Sequence, residues 1–288
     1  MGENILVTKK EMPIITTPID VALQSAITTN TANSFGNQTL YDMCKRGSML
    51  SAYELADEIW LIGRSYAASP ERRFANRVGS LTRGRGTGDY FKHIASYLVT
   101  QPAFLNLVKK IKSLTPLKFD SSAPDFNNLC LSVQCVEELN ELIIVASKKY
   151  DSVYNPGILC PPTVYKNQIS FCSKFLHFQA PENFFIIDTF TYAAGKQLFS
   201  TSCKGAVNLY SVPITCVERY GFSNELSHAF ASATKCPSSS PIIDEYKNHV
   251  KRSYALGVIL KEIEKMYSVL KSPLVTYPRL TDIIFQNV

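Results

Sequence analysis

The chain has 288 residues, 45% of them hydrophobic, which is enough to bury a sizeable core as one large domain or two smaller ones. Its formal charge of +6, from 30 Lys and Arg against 24 Asp and Glu, is too mild to indicate an acidic partner except through its distribution. No apolar run reaches the roughly 18 residues of a bilayer span, and MGENILVTKKEMP has no apolar centre of a signal peptide, so no membrane partner and a cytoplasmic location are expected.

Residues 1–40 are rich in Thr, Asn, Ser and Gln, with one short amphipathic piece, IDVALQSAI. They place a loosely structured N-terminal segment over 1–49, ahead of a helical domain over 50–288. Ser51 with Glu54 three residues on is a capping box, and Leu55, Ile59, Ile62 and Tyr66 share one helical face. A helix over SAYELADEIWLIGRSYAAS is predicted, with Gly63, Ala67 and Ala68 leaving room for a neighbour. Ser69 and Pro70 open a further helical turn carrying Arg72 and Arg73. With Arg64 these form a basic cluster, which is either a solvated, salt-bridged face or a set of phosphate contacts.

SLTRGRGTGDYF alternates Gly84, Gly86 and Gly88 with Arg83, Arg85 and Thr87 and opens into a helix near Asp89. Glycine backbone beside guanidinium groups admits a phosphate, and the helix start adds free N–H groups. It is no Walker loop, because no Lys-Ser or Lys-Thr follows the last glycine, and no dinucleotide fingerprint, because no strand precedes it. A surface turn is the plain alternative. The next helix, YFKHIASYLV, carries Lys92; after Pro102, AFLNLVKKIKSL sets Phe104, Leu107, Val108 and Ile111 against a lysine face. A long helix is predicted over about Leu129 to Lys149, and the Pro-rich VYNPGILCPPTVY leads to the stretch that matters most.

SKFLHFQAPENFFIIDTFTYAA, from Ser173 to Ala194, sets Lys174 and Asp188 in an otherwise apolar run. Its pattern is helix, turn at Pro181, short extended piece, helix start. Asp188 is placed as the N-cap of the second helix, and Lys174 as a lysine whose stem lies over apolar neighbours. If the turn folds one piece onto the other, the two meet: a desolvated amine beside a carboxylate is a nucleophile with a proton acceptor. Beyond Leu198 the pattern weakens. GFSNELSHAFASA reads as a helix, CPSSSP as a loop, Ile242 to Leu270 as a long amphipathic helix, and TYPRLTDIIFQNV as a last helix started by a proline. Helix dominates and no βαβ alternation appears, so the fold class is mainly α.

The 8 cysteines (Cys44, Cys130, Cys135, Cys160, Cys172, Cys203, Cys216, Cys236) form no CxxC pair and are expected to be reduced, mostly buried thiols. The 4 histidines are never at metal-ligand spacing, so no metal and no other cofactor is expected. A Cys nucleophile served by a distant His stays open as a minor alternative.

GRSYAAS with its following arginine pair, SKFLHFQAPENFFIID and the closing PRLTD together resemble a bacterial group of helical proteins similar to the helix-hairpin-helix base-excision DNA glycosylases, the oxoguanine DNA glycosylase type. The resemblance covers roughly residues 50–285 and implies a mainly α, helix-hairpin-helix glycosylase-like domain. It implies that Lys174 attacks the sugar and that Asp188, capping the next helix after FFIID, assists. The sequence departs from the family in QISFCSK, which has no glycine where the hairpin carries Gly-hydrophobic-Gly, in a shorter Lys-to-Asp interval, and in the missing proline of FIID. Two functions from different classes stand side by side. One is a glycosylase that flips a base into a pocket, with DNA as partner through Arg64, Arg72, Arg73, Arg83, Arg85 and Lys92. The other is a non-catalytic module that binds nucleic acid or a protein partner.

Overall fold

A computed structural model of the chain describes residues 34–66, 68, 87–119, 125–154, 167–198, 241–267 and 276–286. All regular structure among them is α-helical, as the sequence predicts. The helices are α1 (Ser34–Arg46), α2 (Ala52–Ser65), α3 (Thr87–Val99), α4 (Pro102–Ser113), α5 (Phe126–Tyr154), α6 (Ile169–Gln179), α7 (Thr189–Leu198), α8 (Pro241–Tyr267) and α9 (Tyr277–Gln286). The arginines at 72, 73, 83 and 85 and the helix read from GFSNELSHAFASA lie outside the described residues.

Two helices organise the rest. The 29-residue α5 packs against α3, α4, α6 and α8, while the shorter α6 packs against α1, α2, α5 and α8. Every residue of α6 from Phe171 to Phe178 is buried. A helix that is apolar nearly all round belongs inside, and ISFCSKFLHFQ is such a helix, so Lys174 and His177 are carried into the core with it. α7, α8 and α9 pack against one another, and α8 also meets α6.

The segment read as loose contains α1. Leu40, Cys44 and Met49 belong to the same core as α6, and Tyr41 and Met43 pack against it. Polar residues crowd SFGNQTLYDMCKR and mask the few that are buried. The capping box of α2 forms by half: Ser51 Oγ accepts from Glu54 N at 3.4 Å, but Glu54 Oε2 accepts from Ser48 N at 3.0 Å instead of returning to Ser51. The reason is local, because Ser51 N already donates to Ser48 O at 2.9 Å and the Glu54 carboxylate takes the next free N–H upstream. α3 begins at Thr87, two residues before the expected start, so that Gly88 lies in its first turn.

Among the described residues glycine matters at two close approaches, Gly47 beside the Glu58 carboxylate and Gly257 beside an aromatic ring. A Cβ added to Gly257, in α8, would stand 2.5 Å from the ring of Phe119. That ring is confined by Tyr254 at 5.3 Å, Tyr277 at 5.0 Å and Phe185 at 6.3 Å between centroids.

Candidate functional site

The stretch from Ser173 to Ala194 folds as its pattern predicts: α6, a turn over 180–183, an extended run over 184–188, then α7. Phe184, Phe185, Ile186 and Ile187 in the extended run are buried, so its backbone polar groups need partners inside the protein. Side chains from α6, α7 and α8 supply them. His177 Nδ1 donates to Phe184 O at 2.8 Å, His249 Nε2 donates to Ile186 O at 2.8 Å, Ser173 Oγ accepts from Ile187 N at 3.2 Å and Thr191 Oγ1 accepts from Asp188 N at 2.9 Å. Burial lowers both imidazoles, His177 to about 3 and His249 to about 4, so each is neutral. With Nδ1 donating, His177 Nε2 accepts from the Tyr41 hydroxyl at 2.7 Å.

This framework fixes Asp188. Its Oδ1 accepts from Thr191 N at 2.9 Å, the N-cap that the sequence predicts for α7. Its Oδ2 lies 3.5 Å from Lys174 Nζ. Lys174 is inside, with 4% of its side chain exposed against 26% for Asp188, so water reaches the pair from the carboxylate side. The amine has a second neighbour, Ser170 Oγ, at 3.4 Å, and stands 5.8 Å from the centroid of the Tyr66 ring.

A second ion pair belongs to the same cluster. Arg279 and Asp282 of α9 pair with one another, and the Arg279 guanidinium carbon lies 5.9 Å from the centroid of the Tyr66 ring that Lys174 also faces. Asp282 is pushed up to about 6, first by burial, while Arg279 pulls it back, Asp188 raises it again and Lys174 and Gln286 lower it. Burial pushes the Tyr66 hydroxyl up to about 12 and Tyr41 upward as well, with Arg279 opposing in both. Two cations, two carboxylates and two tyrosines thus form one largely buried cluster, reached by water at Asp188. Its members come from four stretches of the chain: Tyr41 from SFGNQTLYDMCKR, Tyr66 from GRSYAAS, Lys174 and Asp188 from SKFLHFQAPENFFIID, and Arg279 and Asp282 from PRLTD.

Of the residues placed at a nucleic-acid surface, Arg64 at the end of α2 and Lys92 in α3 are exposed. Tyr41, Tyr66, His177, Arg279 and Asp282 were not picked out as site residues. Arg279 and Asp282 had a usable signal, since two opposite charges at i and i+3 sit in the otherwise apolar PRLTDII. Among the described residues no group of three or more His, Cys, Asp and Glu side chains converges as metal ligands, and Cys44, Cys130, Cys135 and Cys172 are buried and form no disulfide. No helix among them is long and apolar enough to cross a membrane. No protein-family model, curated protein or solved structure matches the chain.

Proposed function

We propose that the protein is a DNA glycosylase-like enzyme of helix-hairpin-helix type, acting on a base turned out of the helix through Lys174 and Asp188. The observation that carries this is the 3.5 Å approach of the Lys174 amine to a carboxylate that is fixed by its own helix cap and open to water on one side. A lysine nucleophile must first lose a proton, and Asp188 Oδ2 is the acceptor within reach. The free amine then attacks C1′ of the nucleotide, the glycosidic bond breaks, and the base leaves with its electron pair and takes up a proton. Ring opening of the sugar leaves a Schiff base between Lys174 and C1′.

A non-catalytic binding module is the second function, and a specific observation favours it. The N–H groups at the start of α6, which in the glycosylase hairpin hold a phosphate, are engaged within the protein: Gln168 N donates to Asn140 Oδ1 at 2.6 Å and Ile169 N to Asn167 Oδ1 at 2.9 Å. Borohydride trapping separates the two. The full chain is incubated with oligonucleotides bearing an abasic site or single modified bases, and reduction of the Schiff base gives a covalent protein–DNA product on a denaturing gel. The enzyme forms that product, Lys174→Gln does not, and Asp188→Asn forms it more slowly while keeping its cap. No product from the parent on any substrate removes the enzyme and leaves the binding module, and an undiminished product from Lys174→Gln removes Lys174 as the nucleophile.

A further inference from the structure

Helix α7 begins at the carboxylate that pairs with Lys174 and leaves one side uncovered. Thr191 and Gly195 are buried, whereas Thr189, Phe190, Ala193 and Lys196 are exposed. At about 100° per residue these four fall within one arc of about 120°, and that arc holds a cation and no carboxylate. Phe190, two residues past Asp188, is 82% exposed, more than any other large hydrophobic side chain among the described residues. A single exposed apolar side chain is ordinary on a protein surface. This one follows the member of the ion pair that water reaches, since Asp188 keeps 26% of its side chain exposed against 4% for Lys174.

Two cations border the same helix. Lys196 Nζ lies 5.5 Å from the centroid of the Tyr192 ring, and the guanidinium carbon of Arg252, brought by α8, lies 5.7 Å from that centroid. Neither is paired with a carboxylate among the described residues, so an incoming phosphate meets no competitor there. Arg252 also stands near the pair: beyond burial and the bond to Ile186, His249 is lowered by Arg252 and raised by Asp188. Phe190 and Lys196 are six residues apart in α7, about 9 Å along its axis, between two and three steps of a nucleic-acid strand at about 3.4 Å each. An exposed aromatic ring beside unpaired cations is the arrangement that holds such a strand, the ring stacking on a base and the cations meeting phosphates. Protein interfaces are instead depleted in lysine, and here one ring stands among threonine, alanine and lysine.

We propose that the outer face of α7 is a DNA contact of this site: Phe190 stacks on a base next to the nucleotide that Lys174 engages, and Lys196 and Arg252 hold phosphates further along the same strand. The inference rests on the Lys174–Asp188 pair acting on DNA. It supplies that reading with a hold on the backbone, because the N–H groups at the start of α6 are engaged by Asn140 and Asn167.

The test uses the full chain and a duplex carrying one tetrahydrofuran abasic-site analogue, which cannot form a Schiff base, titrated by fluorescence anisotropy over a range of salt concentrations. Phe190→Ala is expected to weaken binding about tenfold at every salt concentration, and Phe190→Trp to retain it. Lys196→Gln and Arg252→Gln are each expected to reduce the slope of log affinity against log salt by about 0.9. Phe190 and Lys196 are exposed, so their variants keep the fold, which the urea midpoint verifies. An unaltered affinity in Phe190→Ala, or an unaltered slope in either cation variant, overturns the contact. Borohydride trapping of the parent judges the chemistry separately. Binding with the expected effects and no trapped product upholds the contact and removes the lysine nucleophile, whereas a trapped product without those effects removes the contact and leaves the nucleophile in place. No binding of the duplex by the parent overturns the contact as well and leaves the exposed ring to a protein partner.

Discussion

Glu58 shows how a single side chain can set the pH response. It is buried at the junction of α1, α2 and α6, where Oε2 accepts from Gln179 Nε2 at 2.6 Å while Oε1 has no partner among the described residues and lies against Gly47. Burial raises its carboxyl to about 7, against 4.5 for the free group, with Gln179 lowering it and Glu54 raising it further. The folded protein therefore binds this proton more tightly than the unfolded chain does between those two values. Its contribution is most favourable below pH 4.5 and is lost progressively as pH rises to about 7. Glu58→Gln keeps the bond to Gln179 without the charge. At pH 8 it is expected to raise the stability measured by urea unfolding by more than about 1 kcal/mol, with a smaller gain at pH 5. An equal effect at both pH values, or a loss at pH 8, would show that Glu58 is ionised without penalty. His177 and His249 work in the opposite direction, since buried neutral imidazoles lose stability as pH falls from about 6.5 toward their folded values near 3 and 4.

At the scale of the element, α8 depends on a missing side chain. Gly257 costs its helix up to about 1 kcal/mol relative to alanine, yet the Phe119 ring lies where a Cβ would go, and the ring is boxed in by other aromatics. Overpacking of this kind costs about 1–3 kcal/mol, so Gly257→Ala is expected to lower the denaturant midpoint despite the gain in propensity. Adding Phe119→Leu should make the alanine less harmful, and a double-mutant cycle with no coupling would dissociate the glycine from the ring. The elements differ in how far their sequences disclose them. α6 and α7 are legible because an apolar run, a proline turn and an Asp before a helix each have one dominant local explanation. α1 is not, because its stability comes from Leu40, Tyr41 and Cys44 meeting α6, and those few buried positions are outnumbered by polar ones in its own sequence.

For the molecule as a whole, the candidate site was half legible. Lys174 and Asp188 stand out as the charged residues in an apolar stretch, and the turn between them made contact a testable expectation. What surrounds them is invisible to local pattern. Tyr41 meets His177 across 136 residues and His249 reaches Ile186 across 63, and nothing in a window of sequence says that an imidazole is reserved for a distant carbonyl. The Arg279–Asp282 pair was in view as part of a resemblance, yet its burial depends on α7 and α8 closing over α9. Pattern recovers the pieces whose causes are near in sequence, and the cluster is assembled from causes that are far.

Cys172 turns this architecture into a clock. Its side chain is wholly enclosed two residues before Lys174, and burial pushes the thiol well above its ordinary range. A thiol reagent can reach it only during the intervals in which α6 leaves its neighbours, and α6 is held on several sides, so its alkylation half-life measures how seldom that happens. Cys44, on the peripheral α1, is freed by a smaller departure. In a time course with iodoacetamide read peptide by peptide, Cys44 should be modified well before Cys172, and Cys172 should follow the unfolding of the whole body, speeding up with denaturant as steeply as global unfolding does. Equal rates at the two positions would mean that the surroundings of Lys174 open as readily as the periphery and that their geometry is transient on the timescale of any chemistry performed there.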